Sequence, residues 1–206
     1  TIRMTKEERK PYIIAVIIAV IIAGSAAVYK YAIEDSMVLP TELPQVGKVG
    51  SDHAHASLLI MVGDRILNFC TPDYMLKSQY VHFEDGNCSV VHRHARGVTI
   101  PTFLKTLGIG LTEDCLTVPG DKKTYCANGK DKLRAVINGA EMPIARLPYY
   151  VFRNNDHILI NFGSESEDML RFKYNQVPQI PLDVNEPEPE NMYGKVLEEK
   201  PLENVK

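Results

Sequence analysis

Residues 53–70 read HAHASLLIMVGDRILNFC, and the parsing of this stretch decides the fold. The runs LLIMV and RILNF flank Gly63-Asp64, a pair suited to a two-residue turn, so residues 58–69 are expected to form a β-hairpin. In that register Val62 faces Arg65 and Ser57 faces Cys70. Successive strand residues point to opposite faces. Ala54, Ala56, Leu58, Ile60 and Val62 therefore line the core face, while His53, His55 and Cys70 share the other.

The opening HAHA has an echo in HRHA at residues 92–95. Five of the chain's six histidines fall in His53-x-His55, His82 and His92-x-His94. On a strand, an H-x-H pair offers two imidazoles to one ion without backbone strain. Two such pairs on neighbouring strands would give a four-nitrogen site. Neutral imidazole suits copper, zinc, nickel or iron, and copper or zinc is the expected ion. A closed four-ligand site would be structural or a store, whereas three ligands and an open position would be catalytic. A pH-sensing cluster and plain structural hydrogen bonding are the alternatives. His82 joins the set only if the second hairpin, residues 80–94, turns through a three-residue loop with Glu84 opposite Cys88. A two-residue turn at Asp85-Gly86 would put His82 and His92 on opposite faces. Asp52, Glu84 and Asp85 are candidates for outer partners that orient the imidazoles. No residue is singled out as catalytic, and no phosphate-binding Gly loop, G-x-S-x-G or H-E-x-x-H is present.

The remaining signals favour strands. Residues 100–107 read as a short helix, with Pro101 in its first turn and Gly108 as its stop. Residues 133–137 and Met142 flank Asn138-Gly139, a hairpin signal. Val151-Phe152 and residues 157–162 read as strands around Asn154-Asn155-Asp156. The expected fold class is α+β: an N-terminal transmembrane helix, then a small, mainly antiparallel β domain with one or two short helices.

The helix TFLKTLGI, followed by AVINGAEMP and NNDHILINFG, is similar to the closing half of β-grasp (ubiquitin-like) domains. HAHA at 53–56, HRHA at 92–95, IPTFLKTLGI and INGAE together resemble single-span, His-rich extracytoplasmic membrane proteins of archaeal type. That group brings no established activity, so the resemblance implies architecture and not function.

Cys70, Cys88, Cys115 and Cys126 are even in number and lie within one folded region. Four cysteines allow three pairings, among which sequence does not choose. Nearest-neighbour bridges, Cys70–Cys88 and Cys115–Cys126, are preferred, the second closing a Gly-, Lys- and Asp-rich loop. The rival is a Cys-His metal site using Cys70 or Cys88. The absence of C-x-x-C argues against a thioredoxin-like redox site.

At the N-terminus, residues 11–29 carry no charge and are dominated by Ile, Val and Ala. A helix of that length would be roughly 28 Å long, close to the hydrocarbon thickness of a bilayer. Arg3, Lys6, Arg9 and Lys10 precede it, which by the positive-inside rule expects a cytoplasmic N-terminus and an extracytoplasmic main domain. A signal peptide cleaved near Ser25-Ala26-Ala27 is the alternative. The expected organisation is a cytoplasmic start (1–10), a transmembrane helix (11–31), a stalk (32–51), the folded domain (52–175) and a flexible acidic, Pro-rich tail (176–206). The expected partners are the membrane and other subunits of a membrane complex, for which a non-catalytic accessory role is the second functional reading. A net charge of −3 gives no electrostatic footprint for nucleic acid.

Overall fold

The computed structural model describes residues 12, 14–25, 40, 42–84 and 86–179. The chain separates into two compact units, residues 1–41 and 42–206.

In the first unit a helix, α1, is described at residues 12 and 14–25, and its apolar side chains, among them Ile14, Val16, Val20 and Ile22, are exposed. Among the described residues no helix is long and apolar enough to cross a membrane. The expected fold class, a transmembrane helix leading into a small domain, is corrected accordingly: the described chain is a mixed helix-and-sheet protein preceded by an exposed helix at residues 12 and 14–25. The cytoplasmic start expected at 1–10, and the parts of the expected span at 11, 13 and 26–31, lie outside the described residues.

The second unit is built on a seven-stranded sheet of β1 (Ala54–Val62), β2 (Arg65–Ile66), β3 (Val81–Glu84), β4 (Asn87–Arg93), β8 (Lys132–Ile137), β9 (Ala140–Met142) and β10 (Asp156–Gly163). The order is β3-β4-β1-β10-β8-β9, with β2 also on β1. Neighbours are antiparallel except β1 and β10, which run parallel from Ala56↔Asp156 to Val62↔Phe162. A second sheet of three short strands holds β5 (Gly110–Leu111), β6 (Cys115–Thr117) and β7 (Thr124–Cys126).

Between β4 and β5 lies α2 (Ile100–Thr106). The Thr99 hydroxyl accepts the Thr102 N–H at its start, and Gly108, at φ +75°, ends it. Ile100, Phe103 and Leu104, at i, i+3 and i+4, are buried on one side. They join Ala56, Leu58, Ile60, Val81, Phe83 and Val91 in the main core. Full burial of such side chains is worth roughly 1.5–3 kcal/mol each before entropy is counted. Leu116 and Val118 are buried in the same core, so the loop closed by Cys115–Cys126 has apolar anchors of its own.

The other sheet face is divided. Over β1, β10 and β8 a smaller cluster forms from Leu59, Met61, Val136 and Leu159, with Leu170 of the helix α3 (Glu167–Tyr174) and Val177. The Ser166 hydroxyl caps α3 by accepting the Met169 N–H; Glu167 and Asp168 lie in its first turn, Arg171 and Lys173 in its last, as the helix dipole favours. The β3-β4-β1 half of the same face carries the histidines.

Several expectations change in detail. The β1–β2 pairing ends after Met61↔Ile66, and Ser57 faces Val90 instead of Cys70. Val151 makes only an isolated bridge to Thr99. Ahead of β1, the part of the expected stalk at 42–51 is hydrogen-bonded within the second unit, Gly47 N–H to Arg96 O (2.9 Å) and Gly50 N–H to His94 O (2.7 Å), while 32–39 and 41 lie outside the described residues. The tail expected from 176 is described only to 179, where Val177 is buried; residues 180–206 lie outside the described residues.

Candidate metal centre

The histidines meet because strand periodicity and cross-strand register act together. His55 faces His92 on the antiparallel β1–β4 pair, and His92 faces His82 on the β4–β3 pair. One row across three strands therefore carries His55, His92 and His82 on the face opposite Ala56, Val91 and Phe83. One step along, His53 and His94 lie on the same face, their ring centroids 5.1 Å apart. The second hairpin reaches this arrangement by an unforeseen route. Glu84 faces Asn87, giving the two-residue turn, and a bulge between His82 and Glu84 shifts the register by which His82 meets His92.

The five imidazoles are packed ring to ring. Centroids are 4.6 Å apart for His53–His55, 4.4 Å for His55–His92 and 4.9 Å for His82–His94. His55, His82, His92 and His94 are buried, and His53 stands exposed at the edge. The Nε2 atoms of His53 and His55 are 3.0 Å apart. Two nitrogens each held about 2.0–2.1 Å from one ion show that separation at an angle of about 95°.

Glu84 enters as a direct member of the cluster. One carboxylate oxygen lies 3.0 Å from His82 Nε2 and the other 2.7 Å from His92 Nδ1. His82 Nδ1 is 2.7 Å from the Ser78 carbonyl oxygen. A carbonyl only accepts, so Nδ1 carries the proton that it donates, and neutral His82 presents a lone pair at Nε2. A lone pair facing a carboxylate calls for a cation between or beside them, either a proton or a metal ion. His94 is pushed down to about 3 by burial, then by the neighbouring His82 and His53, so it is neutral near pH 7, the form in which an imidazole binds metal.

The backbone under the site is held from two sides. Asn154 Oδ1 accepts the His55 N–H (2.9 Å), and the His55 carbonyl accepts the Asn155 N–H (2.8 Å). Asp52 accepts the His53 N–H through Oδ1 and binds Arg93 Nη1 at 2.7 Å through Oδ2, so it fixes the start of β1. Asp85 lies outside the described residues. Among the described residues, the buried Ser57 hydroxyl, on the histidine face of β1, has no hydrogen-bond partner.

Among the described residues, two groups of three bring donor atoms within 4.8 Å of one another: His53, His55 and His92, and His82, Glu84 and His94. Every expected histidine belongs to one or the other. The cysteines do not join them, since Cys70 is bonded to Cys88 and Cys115 to Cys126. Glu84 was expected only as an outer partner. The signal that identifies it is His82-x-Glu84, which has the same i, i+2 spacing as the His pairs.

The chain matches no family model, no curated protein and no solved structure.

Proposed function

We propose that the domain binds a transition-metal ion, copper or zinc, at the histidine cluster, and that it captures, stores or hands over that ion. One observation carries the reading: five imidazoles and one carboxylate converge on one half of a sheet face, the donor atoms of each group of three within 4.8 Å of one another and the His53 and His55 Nε2 atoms 3.0 Å apart. An all-nitrogen and oxygen donor set suits Cu(II) or Zn(II). The structure offers a simple reason for the concentration of histidine, because H-x-H on adjacent strands builds such a set from short-range sequence alone. The two disulfides support placement outside the reducing cytoplasm.

Elemental analysis of the full chain, made with disulfides formed and without a polyhistidine tag, tests the proposal. Bound copper or zinc is expected in the wild type and none in a variant with His53, His55, His92 and His94 changed to Ala. Wild-type protein that stays metal-free after exposure to Cu(II) and Zn(II) salts rejects it.

A further inference from the structure

The two donor groups share no residue, but Glu84 of the second also reaches His92 of the first. A closed copper or zinc site takes about four donors, whereas six side chains converge here. The connection between the groups is specific. His82 and His92 belong to different groups, yet each turns a ring nitrogen toward the same carboxylate, His82 Nε2 at 3.0 Å from Glu84 Oε2 and His92 Nδ1 at 2.7 Å from Oε1. One oxygen thus serves each group, as in a carboxylate that spans two ions.

We infer that the centre is dinuclear, with one ion held by His53, His55 and His92, a second by His82 and His94, and the Glu84 carboxylate bridging the two. This rests on the metal-binding reading above and goes beyond it in stoichiometry and in the role of Glu84. Ions sharing such a bridge lie about 3.5–4 Å apart. The carboxylate charge between them offsets part of their repulsion, which a neutral ligand there would not. The two positions differ in access. The first includes the exposed His53, while the second has buried protein donors in His82, Glu84 and His94. The first ion is therefore the exchangeable one, and the second is held more deeply.

Cu(II) titration of the full chain, followed by metal analysis and electron paramagnetic resonance, tests this. The wild type is expected to saturate at two equivalents, with a signal well below that of two independent Cu(II) ions because the bridge couples their spins. Glu84→Gln has nearly the same shape but cannot bridge as an anion. It is expected to fall to about one equivalent with a full single-ion signal. His53→Ala is expected to lose the exchangeable ion alone and serves as a second variant that leaves the buried positions intact. Saturation of the wild type at one equivalent overturns the dinuclear centre while leaving metal binding standing. Retention of two equivalents and of the coupled spectrum in Glu84→Gln overturns the bridge. No binding in the wild type overturns both this inference and the reading beneath it.

Discussion

Asn154 and His55 are ninety-nine residues apart in sequence, yet the Asn154 side-chain oxygen accepts the His55 backbone N–H at 2.9 Å. The contact fixes β1 at the point where His55 leaves it, two residues after His53. Asn154→Ala removes that acceptor without touching an imidazole. Groups that orient metal ligands commonly change affinity 10–100-fold when lost. A loss of about tenfold is expected, read by competition with a chelating dye, with near-native circular dichroism. Unchanged affinity would mean that β1 holds His55 without this clamp.

The Cys70–Cys88 bridge ties β4, just after the Glu84 turn, to the segment that follows β2. Replacing both cysteines by Ser is expected to lower unfolding free energy by about 2–4 kcal/mol, the usual worth of a disulfide. Denaturant unfolding with and without reductant measures it. The double variant should be insensitive to reduction at this bridge, and equal stability of variant and wild type would contradict the expectation.

Lys173 is buried on α3 and donates to Gly63 O at 2.7 Å and to the Glu165 carboxylate. Lys173→Met leaves Glu165 without its cation, which is expected to cost about 3–5 kcal/mol. The pH dependence has a definite sign. Burial pushes the Glu165 carboxyl up, but hydrogen bonds from Lys173 and Asn161 outweigh it and hold the group below the ordinary 4.5. The unfolded chain therefore takes up this proton first. The pair's contribution is full above pH 4.5 and is lost as pH falls through the lower folded value. Melting temperature against pH should fall on the acid side in the wild type, and that component should vanish in Lys173→Met.

Gly97 adopts φ +76°, and a Cβ there would lie 2.0 Å from the Gln45 carbonyl oxygen. Both the backbone conformation and the space exclude a side chain. Gly97→Ala is expected to cost at least about 1–3 kcal/mol and to displace the segment whose Gly50 N–H bonds the His94 carbonyl. Thermal unfolding together with proteolysis near residues 42–50 checks both effects.

The histidine site was largely legible because it depends on period-two spacing and on pairing between strands close in sequence. His53, His55, His92 and His94 follow from that alone, whereas the nearest-neighbour disulfides, Cys70–Cys88 and Cys115–Cys126, were a preference among three pairings that sequence does not choose between. Other features depend on distant contacts. The parallel pairing of β1 with β10 joins segments about a hundred residues apart, and nothing local specifies it. The helix α3 buries little besides Leu170 and Lys173, so its apolar periodicity is too sparse to announce it, although Ser166 followed by Glu167 and Asp168 is a recognisable helix start. At residues 11–31 hydropathy alone suggested a membrane span, yet among the described residues, 12 and 14–25 in this stretch, no helix is long and apolar enough to cross a membrane. The role of His82 depended on a bulge, which sequence does not locate.

X-ray absorption spectroscopy of the copper- or zinc-loaded protein tests the central claim most directly. The account predicts a nitrogen and oxygen shell at about 2.0–2.1 Å, with the outer-shell scattering of several imidazoles and no sulfur at about 2.3 Å. A sulfur shell would place the metal on cysteine. A shell without imidazole scattering would place it away from His53, His55, His82, His92 and His94, and either result would contradict the histidine centre.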